Sequence, residues 1–527
     1  SVSSARSPAR ALCGIVILLR GGHIDVTGVA VNSARDRSSH HYTLPSHTTR
    51  AMNPNTILPA NNEADPTPAH SSATTASDSP TSTPISLLDA ALADSGFTPA
   101  GSFSIPARPG RLRPVPAGLH PQLGIELRAR HPDGLYSHQA EAISQSLSGR
   151  DVCLATSTAS GKSLVFMSVA AHELLSDPAA RVLVLYPAKA LIQDQLAKWA
   201  ALLSPLAMKV GFIDGTVPVG TRHEILATRR VVLMTPDVVQ AWFMGQLADP
   251  RVQTFRTQLR LLILDEAHVY DGVFGTNMAF LLRRLQAAAV SYRMICSTAT
   301  LGKASEFIAE LTGRTPALIG PEQEGARVAG KEILVARRPA GDPLDAMGAL
   351  LRRLATEHPG RFIAFGDSRK LVEIVTSISH RNQAEDPTVL RTDDTSSITD
   401  DAPPAAAPST TGILPYRAGY ESADRLRIQE ALTSGALRGI VSTSAMEMGL
   451  DIGEVDLVVL LDTPSSMKSF WQRVGRAGRR NPGRCVILDI RGAIDPGPGG
   501  LADFLARPIE PNWLYLKNRY AQYTNAL

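Results

Sequence analysis

Cysteine is scarce: the 527-residue chain has four, Cys13, Cys153, Cys296 and Cys485, spread far apart. No CxxC pair or Cys/His cluster exists, which excludes a zinc-ribbon or disulfide-framework reading and fits reduced thiols in a cytoplasmic protein. Long apolar runs are also missing. Residues 11–19, between Arg10 and Arg20, form the nearest candidate, and they fall well short of the ~20 residues a membrane span requires. No membrane partner is therefore expected. Nor is there a surplus of one charge: six Arg against two Asp in residues 1–51 carry the whole formal net charge of +4. From residue 52 onward 47 basic residues balance 47 acidic ones, so any nucleic-acid contact must come from local patches rather than a global field.

Methionine is absent before Met52, and the chain opens on Ser1. Residues 1–51 are accordingly expected to be upstream sequence foreign to the native protein. Residues 1–115 are rich in Ser, Thr, Ala and Pro without sustained apolar periodicity, which predicts a disordered tail that cannot offset its own ordering entropy.

Beyond that tail, short apolar runs alternate with amphipathic helical stretches, at 152–155, 182–185, 231–234, 261–264 and 294–296. The rhythm resumes at 362–365, 439–442, 457–461 and 485–488. Short buried β runs alternating with helices predict an α/β fold with two tandem units, 116–330 and 331–505, each a parallel sheet flanked by helices. A Pro/Ala/Thr/Asp-rich stretch at 382–412 reads as a flexible acidic insert in the second unit. Residues 506–527 read as the start of a C-terminal extension.

Two segments carry chemistry. After the strand at 152–155, Thr156-Ser-Thr-Ala-Ser-Gly-Lys-Ser163 matches the end of a phosphate-binding loop at a helix entrance. Loop backbone around Thr158 and Gly161 would hold phosphates, Lys162 would neutralise their oxygens, and Ser163 would ligate Mg²⁺. Thr156 and Ala159 depart from the glycines common at those positions. The run Leu261-Leu-Ile-Leu-Asp-Glu-Ala-His268 is an apolar strand ending in two carboxylates. Asp265 suits a metal held through water, and Glu266 a general base.

In this order the segments resemble superfamily 2 helicases of the DEAD/DEAH type, over roughly residues 120–505. The resemblance implies two RecA-like domains that bind ATP and Mg²⁺ in the cleft between them. Tyr136-Ser-His-Gln139 resembles the family's Q motif, which makes Gln139 a candidate reader of the adenine edge. Pro187-Ala-Lys-Ala-Leu191 and Thr235-Pro-Asp237 resemble the nucleic-acid-contacting motifs of the first domain, with Pro187, Lys189 and Thr235 as candidates. Ser297-Thr-Ala-Thr300 resembles motif III, whose hydroxyls link the ATP site to the strand-binding face. Gln472-Arg-Val-Gly-Arg-Ala-Gly-Arg479 resembles motif VI. Its two Gly and three Arg have little reason to exist in a structural helix, and the resemblance makes Arg476 and Arg479 arginine fingers for the γ-phosphate. The segment 442–453 resembles motif V, with Thr443 on the nucleic-acid backbone and Asp451 near the ribose or the inter-domain contact.

More narrowly, LYSHQAEAI, TASGKS, DEAHVYDGVFGTN and QRVGRAGRR resemble the MrfA/YprA-like helicases related to the RecQ-like Hrq group. That implies single-stranded or forked DNA as the track, 3′-to-5′ movement and a role in DNA repair, in the cytoplasm or on a bacterial nucleoid. No protein partner is indicated. In that group a cysteine-bearing domain follows the core, and no such cluster occurs before Leu527. Trp513, Tyr515, Tyr520 and Tyr523 read either as a base-stacking surface or as the apolar face of a helix belonging to that domain. Two alternatives stay open: a DEAH-type RNA helicase, and a non-catalytic nucleic-acid-binding scaffold with a decayed ATP site, for which Thr156 and Ala159 speak.

Overall fold

The computed structural model describes residues 87–526, apart from 290, 300, 382–411, 418, 448–454, 480 and 498. The expected tail up to residue 86, nearly all of the acidic insert, Thr300 and Asp451 lie outside the described residues.

Sixteen strands are present among them. They are β1 (Thr98–Ile105), β2 (Leu112–Arg113), β3 (Leu135–Tyr136), β4 (Val152–Ala155), β5 (Arg181–Leu185), β6 (Val210–Ile213), β7 (Val231–Met234) and β8 (Leu259–Leu264). The series continues with β9 (Arg293–Thr298), β10 (Ala317–Ile319), β11 (Lys331–Arg337), β12 (Phe362–Phe365), β13 (Ile413–Tyr416), β14 (Gly439–Ser442), β15 (Leu457–Leu460) and β16 (Gly483–Asp489). The first lobe is a seven-stranded sheet in the order β10-β4-β9-β8-β5-β7-β6. Every neighbouring pair in it is parallel. The second lobe has the order β1-β11-β16-β15-β12-β14-β13, parallel except that β1 runs antiparallel to β11. The central strands β4, β7, β12, β14 and β15 are buried along their whole length. Burial on both faces explains why they read as unbroken apolar runs rather than as alternation. The fold is the two-lobed, RecA-like α/β architecture the sequence predicts. Among the described residues no helix is long and apolar enough to cross a membrane.

One expectation is corrected. The stretch 87–115 is not part of a disordered tail: the helix Leu87–Asp94 and β1 belong to the second lobe. Leu88, Ala91, Leu92 and Phe97 are buried in that lobe's core with Leu350, Leu351 and Leu354 of the helix Pro343–Glu357, and Arg353 pairs with Asp94 at 2.5 Å. The compositional argument failed because β1 is an edge strand. All its residues but Ile105 are exposed, so its order comes from main-chain pairing with β11 and not from an apolar face.

From Leu87 the chain therefore runs in the second lobe, crosses to the first before β2, and returns between β10 and β11. The two crossing segments touch, with Arg108 and Val328 exchanging main-chain hydrogen bonds of 2.9 Å.

Candidate nucleotide and nucleic-acid sites

Parallel sheets bring their functional loops to the carboxyl ends of the strands, and both chemical segments lie there. β4 runs into the phosphate-type loop and β8 into the two carboxylates. The helix Lys162–Ser176 follows Gly161, whose φ is +81°, and no side chain caps it. Its first N–H groups and the helix dipole thus face the cleft. The two departures from glycine acquire a structural account. Thr156 closes the loop by a 2.8 Å hydrogen bond between its hydroxyl and that of Ser160. Ala159 takes φ +64°, a left-handed conformation that costs a side-chain-bearing residue roughly 1–2 kcal/mol. Lys162 Nζ donates to the carbonyls of Thr156 (3.1 Å) and Ser157 (2.8 Å). Burial pushes its pKa down, opposed by Glu266, Asp265 and Glu324.

Asp265 is buried, accepts from the hydroxyl of Ser297 and from the amide of Glu266 (2.9 Å), and has its pKa pushed well up by burial and the adjacent Glu266. Glu266 itself sits at φ +51°, strain of the kind that clusters at functional sites. His268 Nδ1 accepts from the amide of Ala299 at 3.2 Å. Burial, with Lys468, Lys162 and Arg476 nearby, holds its pKa down at about 3. The imidazole is therefore neutral, and its 3.4 Å approach to Glu266 is no ion pair. Of the link expected between the ATP site and the strand-binding face, the ATP-site end is present as the Ser297–Asp265 hydrogen bond.

The second lobe supplies the opposite wall. The helix Met467–Val474 leads into Arg476 and Arg479. Arg476 is 1% exposed; burial and neighbouring Arg479 lower its pKa to about 10, against the pull of Glu266 and Glu447. Its guanidinium donates to the Glu447 carbonyl. Arg473, the remaining arginine of the segment, is tied within its own lobe to Glu447 (2.7 Å) and Asp367 (2.9 Å). One cavity of about 700 Å³ is lined by Lys162, Ser163, Asp265 and Glu266 from one side and by Arg476 and Arg479 from the other. Thr158 and Gly161 line it too.

Gln139 goes elsewhere. Its Oε1 accepts from the Tyr136 amide (3.0 Å) and its Nε2 donates to the Gly161 carbonyl (3.0 Å), with 4% of the residue exposed. In this conformation the amide braces the loop and does not line the cavity. Tyr136 and Arg327 line the cavity instead. Arg327 and the buried Glu324, which accepts from the Ser157 amide at 3.0 Å, were missed because the connector 320–330 has no periodicity. Glu447 lay inside the segment resembling motif V but was not singled out, because its partner Arg473 is distant in sequence.

The nucleic-acid candidates share the same edge. Pro187 follows β5 and Thr443 follows β14, both half-buried, while Lys189 is exposed at the start of the helix Lys189–Leu203. Lys189 lines a second groove between the lobes, of about 780 Å³, with Arg425. Thr235 is corrected: it is 3% exposed at the end of β7, so its hydroxyl offers nothing to a strand in this conformation.

Comparison with known proteins agrees. The DEAD/DEAH box helicase family model matches residues 136–307, and the helicase conserved C-terminal domain matches 345–481. This two-lobed cleft defines the class: the chain belongs to the DEAD/DEAH-box helicases of superfamily 2. Within that class it is a MrfA/YprA/Hrq1-like member. It is 28% identical to the ATP-dependent helicase YprA of Bacillus subtilis over 73% of this chain and 50% of YprA. It is 29% identical to the ATP-dependent helicase HRQ1 of Saccharomyces cerevisiae over 72% of this chain and 34% of that protein. A crystal structure of the DUF1998 helicase MrfA bound to DNA superposes with a TM-score of 0.71 at 25% identity, covering 81% of this chain and 59% of that one. The chain thus spans half the length of YprA and about a third of HRQ1.

Proposed function

We propose that this chain is the motor of an ATP-dependent DNA helicase or translocase, moving 3′ to 5′ on single-stranded or forked DNA in repair. The observation that carries the reading is the cavity lined from one lobe by Lys162, Asp265 and Glu266 and from the other by Arg476 and Arg479. A triphosphate in it would be gripped from both sides: helix N–H groups and Lys162 on one wall, two guanidinium groups on the other. Glu266 would take a proton from the attacking water. Arg476 and Arg479 would stabilise the charge that builds on the transferred phosphoryl group.

The donor set suits Mg²⁺. Two adjacent carboxylates, the buried Asp265 with its pKa raised by burial and by Glu266, and the half-buried Glu266, call for positive charge, and one hydroxyl (Ser163) plus one carboxylate (Asp265) is what this ion takes beside phosphates and water. Held by Ser163 and Asp265, the ion would supply positive charge against the charge developing on the phosphates. Loss of the γ-phosphate removes the link between the walls, so the lobes separate and the grip on the strand at Pro187, Lys189 and Thr443 alternates.

Support for DNA as the track comes from the relatives, one of them a helicase crystallised with DNA. The test is ATPase rate with single-stranded DNA, duplex DNA or RNA, paired with unwinding of substrates bearing a 3′ or 5′ overhang. Stimulation by DNA and preference for the 3′ overhang are expected. Stimulation by RNA alone overturns the substrate, and full hydrolysis by Lys162→Ala or Glu266→Gln overturns the site.

A further inference from the structure

Beyond Phe504 the chain leaves the second lobe and runs back across the cleft to the first, and the polar contacts of this strap gather beside the nucleotide site. Glu510 accepts from the amides of Met467 (2.8 Å) and Lys468 (3.1 Å), capping the start of the helix that leads to Arg476 and Arg479. Two residues on, Asn512 is 6% exposed and bonded to both lobes. Its Nδ2 donates to the carbonyl of His268 at 2.8 Å, and its Oδ1 accepts from Lys468 Nζ at 2.8 Å. Lys468 Nζ also lies 3.5 Å from the carboxylate of Asp271. Two further bonds then fix the strap to the first lobe: Gly272 N donates to the Trp513 carbonyl and Trp513 N donates to the Asp271 carboxylate, each 2.8 Å. Pro511 bridges to Gly302. A Cβ at Gly302 would stand 2.3 Å from the Ile509 carbonyl, so this close approach requires glycine.

We propose that Glu510 and Asn512 are positioning residues for ATP hydrolysis: they clamp the start of the helix Met467–Val474 against the His268–Asp271 loop, and so set where Arg476 and Arg479 stand relative to Glu266. The role rests on the ATPase reading above. The lever is geometric. An eight-residue helix is about 12 Å long, and a tilt of about 5° at the clamped end moves its far end by about 1 Å, a misplacement that can cost roughly a hundredfold in rate. Neither residue lines the cavity, so the clamp should act on the chemical step and leave nucleotide binding alone.

The experiment compares Asn512→Ala, Asn512→Asp, Lys468→Ala and the double Asn512→Ala/Lys468→Ala in the full chain. It reads kcat and KM for ATP, the Kd of a fluorescent non-hydrolysable ATP analogue, and melting temperature. Asn512→Ala should lower kcat by about tenfold to a hundredfold with analogue affinity and melting temperature unchanged. Asn512→Asp keeps the acceptor for Lys468 and loses the donor to His268, so it should fall between. The double variant should be no worse than the worse single one, because both changes open one clamp. Unchanged kcat in Asn512→Ala, a matching loss of analogue affinity, or additive losses in the double variant overturns the proposal. Should Asn512→Ala fail to fold, the same readings on Asn512→Asp and Lys468→Ala decide it. Lys162→Ala in parallel separates the two claims: hydrolysis that survives it condemns the ATPase reading itself, whatever the strap variants do.

Discussion

The half of the cleft from the first lobe is made of strand ends, and the half from the second is made of ion pairs. On the first side the backbone does the positioning: Ala159 and Glu266 are held at positive φ, and Gly161 opens a helix whose N–H groups face the cavity. On the second side Arg473 is locked between Glu447 and Asp367, and Arg476 leans on the Glu447 carbonyl. Fixed backbone dipoles suit a phosphate that is always charged. Side chains held by other side chains suit a group that must arrive only when the lobes are together.

The sharpest way to break this contrast is to separate binding from chemistry. Arg476→Lys keeps the charge and loses the planar fork; it should cost roughly 10³–10⁵ in kcat while affinity for a non-hydrolysable analogue changes little. Lys162→Ala should lose both. Equal losses of affinity in the two variants would mean that both lobes act on the ground state, and the contrast would fall.

Next in size is the anchor of the second wall. Glu447→Ala leaves Arg473, 6% exposed in its side chain, with only the more exposed Asp367 as a carboxylate partner, and removing one partner of a buried pair costs up to about 3–5 kcal/mol. Urea unfolding measures this. A loss under about 1 kcal/mol, the value of a surface pair, would show that the second wall does not depend on ion pairing.

Lys331 gives a pH-dependent test of the same wall. Burial, with Arg479 nearby, lowers its pKa from 10.5 to about 8, and its Nζ donates to the Val474 carbonyl at 3.1 Å. With the folded value depressed, its contribution to stability is complete above pH 10.5 and lost as pH falls through 8, so at pH 7 the buried charge is a net cost. Lys331→Met should be more stable than the native chain at pH 7 by up to about 3 kcal/mol, the gain shrinking from pH 8 to 10.5. Melting temperature across that range reads it, and a gain independent of pH contradicts it.

The smallest effect lies on the first wall. Ala159→Gly relieves roughly 1–2 kcal/mol of left-handed strain and loosens the unfolded chain by about 0.4–1 kcal/mol, leaving a net gain between about 0 and 1.6 kcal/mol in urea unfolding. A clear loss would show that the Ala159 methyl contributes packing that outweighs its strain.

The same contrast explains what was legible beforehand. Lys162, Asp265 and Glu266 announce themselves because one strand end and the next few residues make each feature, so composition and chemistry coincide locally. The buried central strands were equally plain: β4, β7, β12 and β14 are the apolar runs themselves. What escaped depends on distant partners. β1 is ordered by a strand more than two hundred positions away, Gln139 is turned onto the loop by the Gly161 carbonyl, and Glu447 acquires its role only once the helix Met467–Val474 lies beside it. Of the C-terminal apolar side chains, Leu514 and Leu516 anchor the strap to the first lobe's core, whereas Trp513, Tyr515, Tyr520 and Tyr523 are all more than half exposed.

Because β1 precedes the first lobe and the strap follows the second, neither half can be cut out as a continuous stretch. A fragment ending near residue 330 would carry an orphan edge strand, and one beginning there would lack it and end in a tail made for its missing neighbour. During synthesis the first sheet can close long before the second, whose earliest strand must wait, exposed, for β11 to emerge.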